Sequence, residues 1–380
     1  MLFLRKRNAR VTNGGRKFNL VKIFYYLNTS KSINWGSQAT SAGIRHLVDV
    51  SYPDAEFAPI DFAPLPLRWF PYLRIIPDLL LIYCIKNNVK KGLERLLQWY
   101  GIKPEIYSQC DAVLFNGEGS IHNKSGHFFR LIASLYAFKL NGKIVISMNQ
   151  TVDVPGNGMH AKILKLVYSK LDSVYSREPV TYRLLKSMGI ENSVIGDAAY
   201  ALPKMHSDRI DKLVLDYNLP DDFIALTGSS FLDKNKKSVE RIIAVIDAIS
   251  TLNFPIIFLA NTKTDLYLAK KVEKIRNLRI ISYKDAKFEE GMAIVAKAKL
   301  LIGGRQHPNI FAAIYGTPFI GMEGNTHKMK GVIELLKYPI PSMNWKINEV
   351  ELFLLAERII NHEVSFSQVD VPVVDSVKIF

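Results

Sequence analysis

The sequence has few cysteines and no apolar run long enough to cross a membrane. Cys84 and Cys110 are the only cysteines among 380 residues, which excludes a disulfide framework and favours a reducing compartment. No apolar core of signal-peptide length follows the start MLFLRKRNAR, so we expect a cytoplasmic protein. The apolar run at residues 79–85 is far shorter than the roughly 20 residues that a membrane-spanning helix needs.

The sequence also lacks the short motifs of several enzyme classes. No GxGxxG follows the first predicted strand, and GxxxxGK[ST], GxSxG and HExxH do not occur. The DxD pair that holds a metal in many sugar transferases is missing as well. We therefore expect no required metal and no resident cofactor. Since no basic stripe is interleaved with stacking aromatics, we do not expect nucleic acid as a partner.

Acidic residues are in the minority, and the excess of positive charge favours anionic partners. Fifty Lys and Arg against 35 Asp and Glu give a formal net charge of +15. The basic leader, residues 1–20, contains no acidic residue. Residues 65–100 interleave aromatic, apolar and basic side chains, which is typical of a segment lying on an anionic membrane surface. A pair of amphipathic helices packed on the domain explains the same pattern.

Short apolar runs rich in β-branched residues alternate with helical patterns, which predicts parallel sheets with crossover helices. The predicted strands are residues 21–27, 112–117, 143–148, 173–176, 223–228, 255–260, 279–282, 300–303 and 318–321. The polar segment 205–222 is typical of a linker between domains or of a surface excursion from one domain. We therefore predict an α/β protein of two doubly wound, Rossmann-like domains that face each other across a cleft. The domains are residues 1–205 and 206–380, the second ending in a helix and a tail.

Ligands of open parallel sheets bind beyond the carboxyl ends of the strands, so the residues that follow each run are candidate site residues. After the first strand these are Asn34, Gly36, Ser37 and Gln38. After the second they are Asn116, Gly117, Glu118 and His122, and Arg177 follows the fourth. Glycine-rich turns also end many strands for steric reasons alone.

The stretch GGRQHPNIF, which begins at Gly303, has the features of an anion site. Gly303 and Gly304 would allow a tight, exposed turn, from which Arg305 would project a bidentate anion-binding fork. His307 would add an acid or base, and the following helix would add N-terminal N–H donors. Alternatively, His307 is a buried helix cap and Arg305 belongs to an ion pair.

The same stretch resembles the C-terminal signature of the polysaccharide pyruvyl transferase family, in which a GxRxH turn precedes a helix, a GxP strand and a lysine-bearing segment. Here these features are Gly303, Arg305, His307, Gly316, Pro318 and Lys328. The resemblance extends to SREPVTYRLLKSMGI, to VIGDAAYAL with Asp197, which receives no assigned role, and to FNGEGSI. It covers roughly residues 20 to 340.

The resemblance implies a fold like that of GT-B glycosyltransferases and transfer of a pyruvyl group from phosphoenolpyruvate to a saccharide, with release of phosphate. It implies His307 and Arg305 as catalytic residues, and we add Glu118, across the cleft, as a further catalytic candidate. The donor-binding residues would be Arg177, Gly303, Gly304, Arg305, Asn325, His327 and Lys328.

The first domain would face the acceptor, through Asn34, Gly36, Ser37, Gln38, Asn116, Gly117, Glu118 and His122. Two loops depart from the family pattern. INWGSQA lacks the acidic residue expected after its glycine, and Glu118 interrupts a glycine run. We expect a cell-surface saccharide as acceptor, lipid-linked and modified at the inner face of the cytoplasmic membrane. Two other functions fit the same residues: a GT-B glycosyltransferase that uses a nucleotide-activated sugar, and a non-catalytic anion-binding protein of the membrane surface.

Overall fold

The computed structural model describes residues 21–60 and 75–379. The predicted leader, residues 1–20, lies outside these residues, as does the first part of the membrane-surface candidate up to residue 74. Within the described ranges, no helix combines the length and the apolar character needed to span a bilayer.

The first domain is built on a parallel sheet of six strands in the order β2-β1-β3-β4-β5-β6. Its strands are β1 (Lys22–Tyr26), β2 (Glu56–Ile60), β3 (Ala112–His122), β4 (Ile144–Asp153), β5 (Ser173–Ser176) and β6 (Ser193–Val194). The sequence pattern did not predict β2 or β6. Both lie at an edge of the sheet, where β2 tolerates Pro59 and β6 pairs over only two residues.

Helices cover both faces of this sheet. They are α1 (Trp35–Ser51), α2 (Ile75–Lys86), α3 (Lys90–Gln98), α4 (Glu105–Ser108), α5 (Phe128–Leu140), α6 (Met159–Tyr168) and α7 (Pro179–Ser187). Two local signals set where helices begin. Asn34 caps α1 by accepting from the Gly36 N–H, and Glu178 caps α7, whose first residue is Pro179.

The second domain contains a parallel sheet of five strands in the order β11-β10-β7-β8-β9. Its strands are β7 (Ile224–Ser229), β8 (Ile256–Ala260), β9 (Arg279–Ser282), β10 (Leu300–Gly304) and β11 (Phe319–Gly321). Its helices are α8 (Ser207–Asp216), α9 (Lys236–Ser250), α10 (Lys263–Glu273), α11 (Phe288–Lys297), α12 (Gln306–Tyr315), α13 (Lys328–Leu335) and α14 (Glu349–Ile360). The segment interpreted as a linker contains α8, which packs on α11 through a face that includes Ile210.

The two domains share an apolar core, because residues of both sheets belong to one buried cluster. Trp35, at the start of α1, is fully buried and donates from Nε1 to the Ala286 carbonyl at 2.9 Å.

The C-terminal tail was predicted as part of the second domain, but it contacts the first domain. It crosses back, and the N–H groups of Val377 and Ile379 donate to the hydroxyls of Ser51 and Tyr52.

Candidate active site

A cleft between the two domains contains most of the charged residues that follow the predicted strands. The first domain lines it with Asn34, Ser37, Glu118, Gly119 and Arg177. The second domain lines it chiefly with Ser230, Asn261, Arg305, Gln306, His307 and Lys328. These side chains come from the carboxyl ends of strands in both sheets, which is where ligands of open α/β sheets bind.

Arg305 does not offer its bidentate fork to the cleft. Its Nε and Nη2 donate to both carboxylate oxygens of Asp265, at 2.8 to 3.2 Å, and Nη2 also donates to Thr262 Oγ1 at 2.9 Å. Asp265 is fully buried, so its charge requires a partner. Burial raises the pKa of Asp265, and the guanidinium opposes that rise. The guanidinium group that was expected to bind a ligand therefore forms an ion pair within the protein. Of its three nitrogens, only Nη1 makes no hydrogen bond to the described chain.

The two glycines before Arg305 serve strand packing rather than an exposed turn. Gly303 and Gly304 are buried within β10. A Cβ on Gly303 would lie 2.0 Å from Thr227 Oγ1, and one on Gly304 would lie 2.5 Å from Ser229 Oγ. The prediction of an exposed turn was wrong, because β10 continues through both glycines and lies against β7.

His307 links the two domains. Its Nε2 lies 3.0 Å from Thr40 Oγ1 on α1 and 3.5 Å from Asp197 Oδ2. On the other side of the ring, Nδ1 is so close to α1 that a Cβ on Gly36 would lie 2.0 Å from it. Gly36 was predicted as an acceptor-side residue, and its observed role is to let α1 approach the imidazole.

Asp197 is the shared partner of His307 and Arg177. The Arg177 Nη1 donates to Asp197 Oδ2 at 3.1 Å, and its Nε donates to Thr151 Oγ1 at 2.8 Å. Burial raises the pKa of Asp197, but His307 and Arg177 outweigh burial and hold that pKa well below the usual range. Asp197 therefore stays ionised between the guanidinium of Arg177 and the imidazole of His307.

Lys328, the first residue of α13, is a cleft cation that has no acidic partner among the described residues. No carboxylate of the described residues forms an ion pair with it, whereas Arg177 and Arg305 each have one. Its ammonium lies against Gly119, where a Cβ would be 2.3 Å from Nζ. Desolvation, reinforced by the charges of Arg177 and Arg305 and opposed by Glu118, lowers the pKa of Lys328 to about 8. An anion in the cleft would compensate this charge.

Glu118 is held at the opposite wall by side chains of the first domain. Its Oε1 accepts from Thr29 Oγ1 at 2.6 Å and from Asn116 Nδ2 at 3.2 Å, and its Oε2 accepts from Ser37 Oγ at 3.2 Å. The backbone at Glu118 has φ of 39°, a left-handed conformation that is uncommon for a non-glycine residue. Such strain is found preferentially at functional sites.

Two buried amide side chains line the cleft with a polar atom that no described residue satisfies. They are Asn261, through Oδ1, and Gln306, through Nε2. Gln306 is also the first residue of α12, and no side chain caps that helix. Its first N–H groups therefore add to the donors available to an anion.

Other predicted site residues lie at the margin of the cleft or have structural roles. Asn116 is fully buried, Gly117 lies where a Cβ would contact Gln150, and Gln38 donates to the Ser32 carbonyl. His122, at the end of β3, does not line the cleft, and burial together with the charge of Lys328 lowers its pKa.

Two residues of the predicted donor side are bonded within the protein. His327 points its Nε2 at the buried Glu178 across the domain boundary, at 3.3 Å, rather than into the cleft. Asn325 accepts from Ser230 Oγ at 2.8 Å and is exposed.

The sequence reasoning missed Asp265, Thr262, Asn261 and Thr40. Asn261 and Thr262 directly follow β8, so the rule that pointed to Arg177 and Arg305 would also have found them. Asp265 and Thr40 lie inside helices and had no such signal.

Comparison with known proteins gave a family and a fold. The model of the family "Polysaccharide pyruvyl transferase" matches residues 34–326. No curated protein matches the chain. Among solved structures, UDP-N-acetylglucosamine 2-epimerase from Rickettsia bellii has 14% identity and a TM-score of 0.57, over 91% of this chain and 89% of that one. The Methanocaldococcus jannaschii UDP-GlcNAc 2-epimerase in complex with UDP-GlcNAc and UDP has 12% identity and a TM-score of 0.58, over 93% and 97%. This similarity shows the fold, which is GT-B-like.

Proposed function

Since the chain belongs to the polysaccharide pyruvyl transferase family, we propose that it transfers a pyruvyl group from phosphoenolpyruvate to a saccharide of a cell-surface polysaccharide. The product is a ketal across two hydroxyls, and phosphate is released. The observation that carries this proposal is Lys328, a desolvated cation at the junction of both domains to which the described part of the chain offers no ion-pair partner. It fits a small, highly charged anion.

The donor would bind between Lys328 and the N-terminus of α12. Phosphoenolpyruvate carries a carboxylate and a phosphate, so it needs several donors within a short distance. Arg305 Nη1 and Arg177 Nη2 make no hydrogen bond to the described chain. Each belongs to a guanidinium group that an ion pair holds in place. Fixed donors of this kind stabilise the charge that develops in a transition state by several kcal/mol. We assign Lys328 to the phosphate.

The reaction needs one proton at C3 of the enol and the removal of one proton from each of two hydroxyls. Protonation of C3 makes C2 electrophilic, the first hydroxyl adds there, the C2–O bond to phosphate breaks, and the second hydroxyl closes the ketal. One of the two hydroxyl protons balances the proton delivered to C3, and the other leaves with the phosphate. We assign proton delivery to His307, whose imidazole lies between Thr40 and Asp197, and proton removal to Glu118. Neither a metal ion nor a resident cofactor takes part.

The acceptor would approach from the first domain, beside Glu118 and Ser37. Both side chains line the cleft, and the hydrogen bond between them orients the carboxylate. Asn34 lines the same wall but uses its side-chain oxygen to cap α1. We propose a lipid-linked saccharide as the acceptor.

A thermal-shift comparison tests the donor. Phosphoenolpyruvate should raise the melting temperature more than inorganic phosphate or pyruvate at the same concentration, because it carries both anionic groups. UDP and UDP-GlcNAc should have little effect. Stabilisation by the nucleotides and not by phosphoenolpyruvate would overturn the proposal and favour a sugar-nucleotide transferase.

A further inference from the structure

Helix α2 carries an apolar stripe on its solvent side. Ile76, Leu79, Leu80 and Tyr83 are 55%, 58%, 41% and 60% exposed, and they follow the i, i+3, i+4, i+7 spacing of one helix face. The other side of the helix is apolar as well and faces the core, with Leu81, Ile82, Cys84 and Ile85 buried. A surface helix of a soluble protein normally presents polar residues outward. Within residues 21–60 and 75–379, no side chain covers the outer stripe of α2, so the stripe needs an apolar environment from outside these residues.

Around this stripe, the basic side chains are exposed and the acidic side chains are partly buried. Helix α3 follows α2 after a short turn, and both helices pack on α5, so their outer faces point away from the same helix. The outer faces and the turn expose Lys86, Lys90, Lys91 and Arg95, together with Trp99, which is 59% exposed. The two acidic residues of these helices are both partly buried. Glu94 accepts from Asn141 Nδ2 at 2.8 Å and its Oε1 lies 4.0 Å from Lys90 Nζ, and Asp78 makes no ion pair with a described residue.

We propose that the outer face of α2 and α3, called here the docking face, binds the surface of an anionic lipid bilayer. The docking face consists of Ile76, Leu79, Leu80, Tyr83, Lys86, Lys90, Lys91, Arg95 and Trp99. Its apolar side chains enter the boundary between headgroups and acyl chains, Tyr83 and Trp99 lie at headgroup level, and the basic side chains contact anionic headgroups.

The positive charge of the docking face favours a bilayer over a second copy of the chain as the partner that covers it. In a symmetric dimer the same face meets itself, which would bring basic residues against apolar or basic ones. A bilayer offers apolar and negative groups together. This inference does not depend on the donor or the reaction.

Vesicle co-sedimentation of the full-length protein tests the docking face. Wild type should bind vesicles of phosphatidylcholine mixed with phosphatidylglycerol and not vesicles of phosphatidylcholine alone, and salt should weaken binding. The variants Leu79→Ser/Tyr83→Ser and Lys90→Glu/Lys91→Glu should each lower the partition coefficient at least about tenfold.

Matched controls change residues elsewhere that are more exposed than those of the docking face. Leu215→Ser/Val350→Ser removes two exposed apolar side chains of other helices, and Lys236→Glu/Lys237→Glu reverses two exposed lysines of α9. Both controls should bind vesicles like wild type. All substituted side chains are exposed, so melting temperatures should stay within a few degrees, and the response to phosphoenolpyruvate should be the same in every variant.

Tryptophan fluorescence tests whether the docking face, rather than the basic leader, contacts the vesicle. Of the four tryptophans, Trp35 and Trp345 are buried and Trp69 lies outside the described residues. The part of a blue shift of tryptophan emission on vesicle addition that comes from Trp99 should therefore be lost in Trp99→Phe. If the wild-type protein does not bind anionic vesicles at low salt, the proposal is wrong. Vesicle binding that both docking-face variants retain would also refute it, because residues 1–20, residues 61–74 or another surface would then carry the interaction. Concentration-dependent dimers that the docking-face variants abolish, without vesicle binding, would show that a second copy covers the stripe.

Discussion

Arg305 donates from Nε and Nη2 to the carboxylate of Asp265, a residue with no exposed surface. We expect Arg305→Lys to lower both stability and donor affinity, because an ammonium keeps the charge but cannot bond both carboxylate oxygens and a ligand at once. Arg305→Met should cost about 3 kcal/mol of unfolding free energy, since it leaves a buried carboxylate unpaired. Chemical denaturation of the three proteins measures this effect.

The exposed pair of Arg276 and Asp247 is the matched control for that measurement. Its geometry is also bidentate, but both side chains are about two-fifths exposed. Arg276→Met should therefore lower the unfolding free energy much less than Arg305→Met does. Equal losses for Arg305→Met and Arg276→Met would contradict the structural role of the Arg305–Asp265 pair.

Gly36→Ala should reduce turnover through His307. The added methyl would lie 2.0 Å from His307 Nδ1, so either the imidazole or the start of α1 must move. A shift of about 1 Å in a catalytic group costs about 10²-fold in rate, and we expect a loss of that order in kcat. Gly126→Ala is the control, because a Cβ there meets nothing within 4 Å. Normal kcat in Gly36→Ala would show that the position of His307 is unimportant for the reaction.

His307→Gln should separate donor binding from chemistry. Glutamine keeps a polar side chain near Thr40 but cannot deliver a proton, a function that typically contributes about 10² to 10⁴ in rate. Phosphoenolpyruvate affinity should change little, and phosphate release with an acceptor should fall by that factor. Near-normal turnover would mean that His307 only connects the domains. Glu118 and His122 would then be the next candidates for the proton donor.

Lys328 should make donor binding depend on pH in the alkaline range. Its pKa is lowered from 10.5 to about 8, so the folded protein loses this charge as pH rises through about 8. Phosphoenolpyruvate affinity should therefore fall between about pH 7.5 and 9, and in Lys328→Met it should be weak and flat over that range. Titrations at a series of pH values measure both profiles.

The same pKa fixes the sign of a stability effect. The unfolded chain keeps the Lys328 proton up to a pH near 10.5 and the folded chain only to about 8, so this residue makes stability rise with pH between those values. Lys328→Met should remove that contribution and increase the stability of the ligand-free protein at pH 7. Lys330→Met, on the exposed side of α13, is the control and should change neither property. Unchanged pH profiles in Lys328→Met would contradict the role of Lys328.

The sequence predicted the fold more fully than the contacts of the site. Nine apolar runs correspond to strands β1, β3, β4, β5 and β7 to β11, because buried parallel strands have a strong local signal. The family resemblance is confirmed by the family match, and the GT-B-like fold by the solved structures. Edge strands β2 and β6 were missed because a short, partly exposed strand lacks that signal.

The contacts of the site depend on residues far apart in the chain. The interpretation of Arg305 as a free fork failed because its partner, Asp265, lies 40 positions earlier on another helix. His327 likewise faces Glu178, which belongs to the other domain. The carboxyl-end rule still found Glu118, Arg177 and Arg305, since it depends on local sequence and the strand prediction alone.

Calorimetric titration of wild type and Lys328→Met with phosphoenolpyruvate, and with UDP-GlcNAc in parallel, tests the central claim most directly. The account predicts saturable binding of phosphoenolpyruvate to wild type at pH 7, binding at least about tenfold weaker to Lys328→Met, and no saturable binding of UDP-GlcNAc. Titrations of wild type near pH 8 in buffers of different ionisation enthalpy should also show proton uptake with phosphoenolpyruvate, because the bound anion restores the charge of Lys328. Saturable binding of UDP-GlcNAc to a protein that does not bind phosphoenolpyruvate would contradict the account.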